Sequence, residues 1–337
     1  MNRRSFNAVA LATLAGVKTV RAASAKDASS DLETSGDLET QLQRFREFPG
    51  TTSFRIDVGD HELTSKSPGL QLFVASAIKT FVVCQYLRDV EVGHLSEDAQ
   101  LSVDDSIRTE SSPVFLNLTG TTQARSILDA MIAYSDNTAT DIALLHVGPN
   151  QVRSFIAIEG FRATLIPDST RRFFSYNVGA PLGVDIGWAG VQKVLESQQL
   201  LGPPRPPLND EETLASSAND LVSFYKRALA GEFFTKPTTL TVFKRIHFNN
   251  TFFPDDSVGY AKGGSGDWVA KSPNPPDFHG LSIAGQMVVN ATPVTFCFVV
   301  NWESVDPNST SATLATAFTE SVKGSMGAIK QRLVSRT

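Results

Sequence analysis

The chain has 337 residues, of which 41% are hydrophobic and 19% charged, and its formal net charge is −5. This apolar content is enough for a sizeable core and excludes an intrinsically disordered chain, and the length allows one or two domains. The charge is slightly acidic and there is no basic stripe with interleaved aromatic residues, which argues against nucleic acid as a partner. The two cysteines are too few for a disulfide scaffold or a cysteine-rich metal site.

The first 25 residues have the layout of a cleavable export signal. The paired arginines Arg3 and Arg4 precede an apolar stretch over 8–17, and Ala23-Ser24-Ala25 is a small-x-small cleavage site. Adjacent arginines followed by Phe6 are typical of the twin-arginine type. We therefore predict a protein that is periplasmic or secreted, exported through a twin-arginine signal, with no membrane-spanning segment in its mature form.

Helices and strands are predicted in an order that suggests an α+β architecture. Apolar residues at helical spacing predict helices over 37–48, 76–87, 124–134, 137–147 and 313–329, and a further helix capped by Ser217. Alternation predicts strands over 52–58, 282–289 and 294–302. The proline-rich segment 202–207 fits neither a helix interior nor a central strand, so it is the candidate crossover between domains. Strands at both ends of the chain with helices between them predict a sheet domain whose chain leaves to build a helical domain and then returns.

The first motif that indicates chemistry is Ser76-Ala77-Ile78-Lys79, at the start of a predicted helix. A serine hydroxyl is a poor nucleophile unless a base takes its proton. Residues three apart on a helix share a face, so Lys79 can reach the Ser76 hydroxyl. The same spacing occurs at Ser223 and Lys226, but there it lies inside an amphipathic helix and predicts only a solvated lysine. Ser76 differs because it stands where a loop enters a helix, near the positive end of the helix dipole.

Two further motifs follow along the chain. Ser135-Asp136-Asn137 lies between two predicted helices, where each of its residues alone would suit a helix N-cap. Lys262-Gly263-Gly264-Ser265-Gly266 would let a substrate backbone lie close to an edge strand, with the lysine as a positive charge for a substrate carboxylate. Taken alone, this third motif is more typical of a glycine-rich hairpin.

Together, in this order, the three motifs resemble those of class A serine β-lactamases and penicillin-binding proteins. The flanking residues 131–139 and 214–221 are similar to that family as well, and the resemblance covers nearly the whole mature chain. It implies an α+β serine β-lactamase-like fold, with an antiparallel sheet flanked by helices and an all-helical lobe. Residues 26–75 and 208–337 would form the sheet domain and residues 76–207 the helical domain.

The resemblance also implies a catalytic role for four residues of the first two motifs. Ser76 would be the acylated nucleophile and Lys79 its proton relay. Ser135 would pass a proton to the leaving amide nitrogen. Asn137 would hold both Lys79 and the side-chain amide of the substrate.

The third motif would serve substrate binding and charge stabilisation. Lys262 would lower the pKa values of the catalytic serine and lysine and attract the substrate carboxylate. The backbone N–H groups of Ser76 and Ser265 would form an oxyanion hole, and the glycines Gly263 and Gly264 would let the substrate lie close to the strand. The family usually has a hydroxyl residue at the position of Gly263, so carboxylate binding would depend more on Ser265 and Ser135.

A second departure concerns the residue that activates water for deacylation. Class A enzymes use a glutamate about 35 residues after the Ser-Asp-Asn serine, and this chain has no glutamate between Glu159 and Glu196. Asp168 stands near the expected place and is the candidate base. Its alternative role is to pair with Arg171 and Arg172.

Three functions stay open on the sequence alone. The expected one is hydrolysis of a β-lactam through an acyl-enzyme. The alternatives are a penicillin-binding protein, DD-peptidase or esterase relative with slow deacylation, and an inactive module that binds a cell-wall ligand. In each case the partner is a small-molecule β-lactam or a peptidoglycan-like peptide, and we expect a monomer.

No metal or cofactor is predicted, because the five histidines lack ligand spacing. His279 is expected in a surface loop, with the cleft near the third motif as the alternative. Cys84 and Cys297 are each expected as small buried hydrophobic residues.

Overall fold

The structure is a computed structural model that describes residues 38–255, 257–269 and 276–335. The predicted export signal over 1–25 and the segment 26–36 lie outside these residues. In the described part of the chain, the helices are all too short or too polar to cross a membrane.

The described residues form helices and strands in a mixed order. The helices are α1 Leu38–Arg46, α2 Lys79–Glu91, α3 Ala124–Ala133, α4 Asn137–Val147, α5 Pro149–Ile158, α6 Thr170–Asn177, α7 Gly187–Ser197, α8 Ala218–Ala230, α9 Pro237–His247 and α10 Ser311–Val334. The strands are β1 Thr51–Val58, β2 His61–Lys66, β3 Leu72–Phe73, β4 Gln100–Val103, β5 Gly120–Gln123, β6 Ala215–Ser216, β7 Val258–Trp268, β8 Asp277–Val289 and β9 Thr292–Ser304. A short 3₁₀ helix, Ala75–Ile78, leads into α2.

The main sheet is antiparallel and has five strands in the order β2-β1-β9-β8-β7. β8 and β9 form a long hairpin whose turn residues Asn290 and Ala291 have φ values of 48° and 63°. Two consecutive residues with positive φ match the right-handed twist of the strands that they join. The chain therefore brings its N-terminal strands and its C-terminal strands into one sheet, and β7 is left as an edge.

Helices cover both faces of this sheet. α1 and α10 pack together on one face, where the Phe45 ring meets that of Phe298 with 5.0 Å between centroids. α8 packs on the other face against β1, β8 and β9. Beyond α8 lies the larger apolar core, and α2 runs through it with every side chain from 79 to 87 buried. The helices α3, α4, α5 and α9 pack around it.

The fold class predicted from the sequence is confirmed, since the chain is α+β with an antiparallel sheet and flanking helices. The predicted helices and strands each match an observed element, and the Ser217 hydroxyl accepts the backbone N–H of Asp220 as an N-cap. The segment 202–207 is irregular and lies between α7 and β6. The helices α5, α6, α7 and α9 were not predicted. The division into domains at 75 and 208 stays a prediction.

Candidate active site

Ser76 lies in the 3₁₀ helix that meets the edge strand β7 of the sheet. The preceding residue, Ala75, has a φ of 48°, a left-handed conformation that costs energy for a residue with a side chain. This turn leaves the Ser76 side chain partly exposed at the start of the buried helix α2. Ser76 thus stands at the boundary between the sheet and the helical layer.

Lys79 is almost completely buried, with 1% of its surface exposed. Its ammonium donates to Oδ1 of Asn137 at 2.7 Å and to the backbone oxygen of Ser135 at 2.7 Å. Within the described residues these are its hydrogen bonds, and the Ser76 hydroxyl is not among its acceptors. Burial lowers the pKa of Lys79 to about 8, although the carboxylates of Asp136 and Asp141 favour the charged form. A lysine in this range can give up and regain a proton near neutral pH.

The second motif forms the loop between α3 and α4. Ser135 has a φ of 58°, and Asp136 caps α4 by accepting the backbone N–H of Ala139 at 2.7 Å. The other carboxylate oxygen of Asp136 accepts the N–H groups of Val114 and Phe115, both at 2.9 Å. The cap predicted for this motif is therefore present, and it also ties the preceding loop to the site.

The third motif is part of β7, and its lysine contacts the second motif. Lys262 is 5% exposed, and its ammonium donates to the Ser135 hydroxyl at 2.9 Å and to the backbone oxygen of Gly263 at 2.7 Å. Burial, together with the positive charge of Lys79, lowers the pKa of Lys262 well below its usual value. Two cations close together lower one another's pKa, and a substrate carboxylate would reverse this effect.

Gly264 lies where β7 passes closest to the 3₁₀ helix. A Cβ atom on Gly264 would stand 2.2 Å from the backbone oxygen of Val74 and 2.8 Å from the backbone nitrogen of Ser76, so only glycine fits. Ser265 is the next residue along the strand. The backbones that carry the two predicted oxyanion-hole donors, Ser76 and Ser265, are therefore adjacent.

A cavity of about 510 Å³ opens between β7, the 3₁₀ helix and the helical layer. Its lining includes seven of the nine residues that the sequence singled out: Ser76, Ser135, Asn137, Lys262, Gly263, Gly264 and Ser265. Lys79 lies beneath it, bonded to Asn137. One part of the cavity is apolar and is lined by Phe173, Phe174, Val178, Trp188, Leu195 and Leu200.

The structure does not bring Asp168 to this cavity. One of its carboxylate oxygens accepts from Arg153 Nη2 at 2.6 Å, and the other pairs with Arg172. The alternative role given for Asp168 from the sequence, pairing with Arg171 and Arg172, is therefore what the geometry shows for Arg172. Arg171 pairs instead with Asp185, at 2.7 Å. The cavity wall on this side belongs to α6, where the ring of Phe173 stacks on that of Phe73 with 5.9 Å between centroids.

Glu110 is a cavity residue that the sequence did not single out. Its Oε1 lies 3.5 Å from Nδ2 of Asn137, and it lines the cavity together with Ser76. Burial raises the pKa of Glu110, while a hydrogen bond from Ser111 and the charge of Lys79 oppose the shift. No motif signals this residue, because it lies 27 positions before its partner Asn137 in an irregular loop.

The remaining candidate residues lie inside the fold. His279 was expected in a surface loop, which is wrong: it lies buried in β8, where its Nδ1 is 2.8 Å from Oδ1 of Asp267. It was misplaced because β8 begins earlier than the alternation predicts. Cys84 and Cys297 are both buried, as expected, and both are free thiols. Among the described residues, no group of three or more His, Cys, Asp or Glu side chains is placed to hold a metal ion.

Solved structures with the same fold are numerous. A class A β-lactamase of the last common ancestor of Gram-negative bacteria is 14% identical, with a TM-score of 0.63 over 87% of this chain and 98% of that one. A β-lactamase from Xanthomonas campestris is 15% identical, with a TM-score of 0.63 over 87% and 96%. PBP-A is 16% identical, with a TM-score of 0.60 over 88% and 96%. Identities this low establish the fold alone.

Sequence comparison adds the family. No curated protein matches the chain. The model of the beta-lactamase enzyme family matches residues 37–255, which is more than half of the chain and includes Ser76, Lys79, Ser135 and Asn137. With the fold and the site in agreement, the protein belongs to the beta-lactamase enzyme family.

Proposed function

We propose that the protein is a serine hydrolase that opens β-lactam rings through an acyl-enzyme on Ser76 and then hydrolyses the ester. The observation that carries this proposal is the pair of buried lysines that meet at one serine. Lys79 donates to the backbone oxygen of Ser135 and Lys262 donates to its hydroxyl. Two buried ammonium groups are costly to maintain, and a role in proton transfer explains why they stand beside a partly exposed serine.

In the acylation step, neutral Lys79 takes the proton of the Ser76 hydroxyl. The oxygen then attacks the β-lactam carbonyl carbon, and the backbone N–H groups of Ser76 and Ser265 would stabilise the resulting oxyanion. A small rotation of the Lys79 side chain has to precede this step, since its ammonium bonds Asn137 in the free protein. Catalytic hydrogen bonds are often completed only when the substrate is bound.

Ring opening requires a proton on the departing amide nitrogen. The Ser135 hydroxyl can supply it and regain a proton from Lys262, 2.9 Å away. The C–N bond then breaks, and the acyl group stays on Ser76 as an ester. Lys262 and the Ser265 hydroxyl would hold the carboxylate of the substrate, since Gly263 offers no hydroxyl for this purpose.

The apolar part of the cavity favours substrates with an apolar acyl side chain. Phe173 and Phe174 of α6 and Trp188 of α7 line the cavity that contains Ser76. The transfer of apolar surface from water into such a site is favourable in proportion to the area buried.

A second candidate function is supported by the part of the cavity lining that α6 forms. Where the resemblance places the water-activating glutamate, about 35 residues after Ser135, the cavity is lined by Thr170 and Phe173. A penicillin-binding or DD-peptidase relative that is acylated and deacylates slowly would fit this arrangement. An inactive cell-wall binding module fits less well, because binding alone does not need the buried Lys79 beside a serine.

The predicted export signal supports a location outside the cytoplasm. We propose a periplasmic or secreted monomer, on the strength of the paired arginines and the cleavage site in the first 25 residues. This is where β-lactams and peptidoglycan peptides meet a cell.

A chromogenic cephalosporin tests the proposed function. Purified protein should change its absorbance in a multiple-turnover reaction, and Ser76→Ala should abolish the change. Ser223→Ala is the matched control, since Ser223 has the same spacing to a lysine but lies in α8 away from the cavity. If wild type consumes at most one equivalent of cephalosporin, the slow-deacylating candidate is favoured. If Ser76→Ala turns over as fast as wild type, the proposal is wrong.

A further inference from the structure

The cavity contains a carboxylate that the family resemblance does not assign. Among the described residues, Glu110 and Asp267 are the carboxylates in its lining. Asp267 is fully engaged elsewhere: it accepts the backbone N–H of Ser311 at 2.7 Å and its hydroxyl at 2.8 Å, and it pairs with His279. Glu110 is therefore the carboxylate in the lining that is left for chemistry on a bound substrate.

Glu110 stands next to the residues that handle the proton in acylation. Its Oε1 lies 3.5 Å from Nδ2 of Asn137, whose Oδ1 accepts from Lys79 at 2.7 Å. The negative charge of Glu110 acts on the ammonium of Lys79. The amide of Asn137 thus stands between a carboxylate and a lysine, and Glu110 lines the same cavity as Ser76.

The loop that carries Glu110 is held in place by the second motif. The backbone N–H of Asn137 donates to the backbone oxygen of Ser111 at 3.2 Å. Asp136 accepts the N–H groups of Val114 and Phe115 on the same loop. Ser111 itself has a φ of 54°, a conformation that persists only where its surroundings enforce it. A catalytic group needs this kind of rigid support.

We propose that Glu110 is the general base for deacylation, which takes the proton from the water that hydrolyses the acyl ester on Ser76. The inference rests on the proposed function and assigns its second step to this residue. The water oxygen bonds to the acyl carbonyl carbon while one of its protons passes to the Glu110 carboxylate. The bond from that carbon to Ser76 Oγ then breaks, and Oγ takes a proton from Lys79. The free acid leaves with Lys79 neutral again, as acylation requires, and the Glu110 proton passes through solvent to Lys262, which gave up its own proton when the ring opened.

The surroundings of Glu110 suit this task. Burial disfavours the charged carboxylate and so raises its affinity for a proton. A base whose pKa lies closer to neutrality is more effective in proton transfer. The glutamate that the resemblance implies for this step is absent from the sequence between Glu159 and Glu196. The candidate in its place, Asp168, pairs with Arg153 and Arg172 outside the cavity.

The variant Glu110→Gln separates this role from a structural one. The glutamine keeps the shape and the oxygen that accepts from Asn137, but it cannot act as a base at neutral pH. Glu110→Asp keeps the carboxylate and shortens its reach. Glu320→Gln, on the exposed side of α10, is the matched control for the chemical change. Thermal unfolding of each variant shows whether it is folded.

The test is rapid-quench intact-protein mass spectrometry with a chromogenic cephalosporin, followed through a full turnover. We expect Glu110→Gln to be acylated at a rate within a few-fold of wild type and to keep the adduct, with deacylation slower by about 100-fold or more. Glu110→Asp should deacylate at an intermediate rate, and Glu320→Gln should behave as wild type.

Three results would overturn the inference while still showing that Ser76 is acylated. In the first, Glu110→Gln deacylates as fast as wild type. In the second, it slows acylation and deacylation equally, which indicates that Glu110 only positions Asn137. In the third, wild type itself keeps its adduct. A wild type that neither turns over the cephalosporin nor forms an adduct would instead refute the proposed function.

Discussion

The ammonium of Lys262 donates to the hydroxyl of Ser135 at 2.9 Å, across the cleft between the edge strand and the helical layer. The two residues lie 127 positions apart in the sequence, so the contact exists only in the folded chain. It connects a buried cation to a hydroxyl that lines the cavity. Ser135 is therefore placed to pass a proton between Lys262 and a bound substrate.

Replacement of Ser135 by alanine should slow β-lactam opening far more than ester cleavage. An amide nitrogen must be protonated as it leaves, whereas a nitrophenolate leaves without a proton. We expect kcat/KM of Ser135→Ala to fall by about 100-fold or more for a cephalosporin, and by less than tenfold for a p-nitrophenyl ester. The backbone contact from Lys79 to Ser135 survives the change. An equal loss on both substrates would show that the hydroxyl does not deliver the proton.

Acylation should become faster as the pH rises through about 8. Burial lowers the pKa of Lys79 to about 8. Below that pH the lysine holds its proton and cannot accept another, and above it the neutral amine is available as a base. We expect kcat/KM for β-lactam opening, measured by stopped-flow absorbance, to rise with pH towards this pKa. It should fall again at higher pH, where Lys262 loses the proton that it supplies to Ser135. A profile that is flat between pH 6 and 9 would exclude Lys79 as the base.

The two glycines of the third motif should differ in their tolerance of a side chain. A Cβ on Gly264 would meet the Val74 oxygen at 2.2 Å, whereas a Cβ on Gly263 would meet the nearest atom, the Ser282 oxygen, at 3.4 Å. Gly264→Ala should therefore push β7 away from Ser76, with a loss of activity and a cost of about 1–3 kcal/mol in the free energy of unfolding. Gly263→Ala should stay close to wild type in both measurements. Equal effects at both positions would argue against close packing at the oxyanion hole.

Substrates with a large apolar acyl group should bind more tightly than small ones. Burial of each extra methylene contributes about 0.8 kcal/mol, so a phenylacetyl side chain should lower KM by about tenfold or more relative to an acetyl side chain. The reason is the apolar wall that includes Phe174 and Trp188. Trp188→Ala should reduce the ratio of the two KM values. An unchanged ratio in this variant would show that the acyl group binds elsewhere.

The residues at short sequence separation were the ones that could be predicted. The spacing of Ser76 and Lys79 places them on one helical turn, and the helix that begins there is visible from its apolar periodicity. The start of that helix is tighter than predicted, because a 3₁₀ helix, Ala75–Ile78, precedes α2. The motif order then identified Ser135, Asn137 and Lys262 through a resemblance, since no local rule brings them together.

The contacts made by distant loops could not be predicted. Asp168 stands near the expected position in the sequence, yet Arg153 of α5 reaches it and holds it outside the cavity. Glu110 lies in an irregular loop without periodicity, and only the contact of that loop with Asn137 brings it to the site. Phe173 belongs to α6, an eight-residue helix whose apolar pattern is too short to be recognised.

The central claim is that Ser76 carries an acyl group during turnover. The most direct measurement is intact-protein mass spectrometry of a reaction with a chromogenic cephalosporin, quenched within the first turnover and followed by peptide mapping. The account predicts a mass increase of one acyl group, located on the peptide that contains Ser76 and absent from Ser76→Ala. An adduct on another residue, or hydrolysis of the cephalosporin by Ser76→Ala at the rate of wild type, would contradict it.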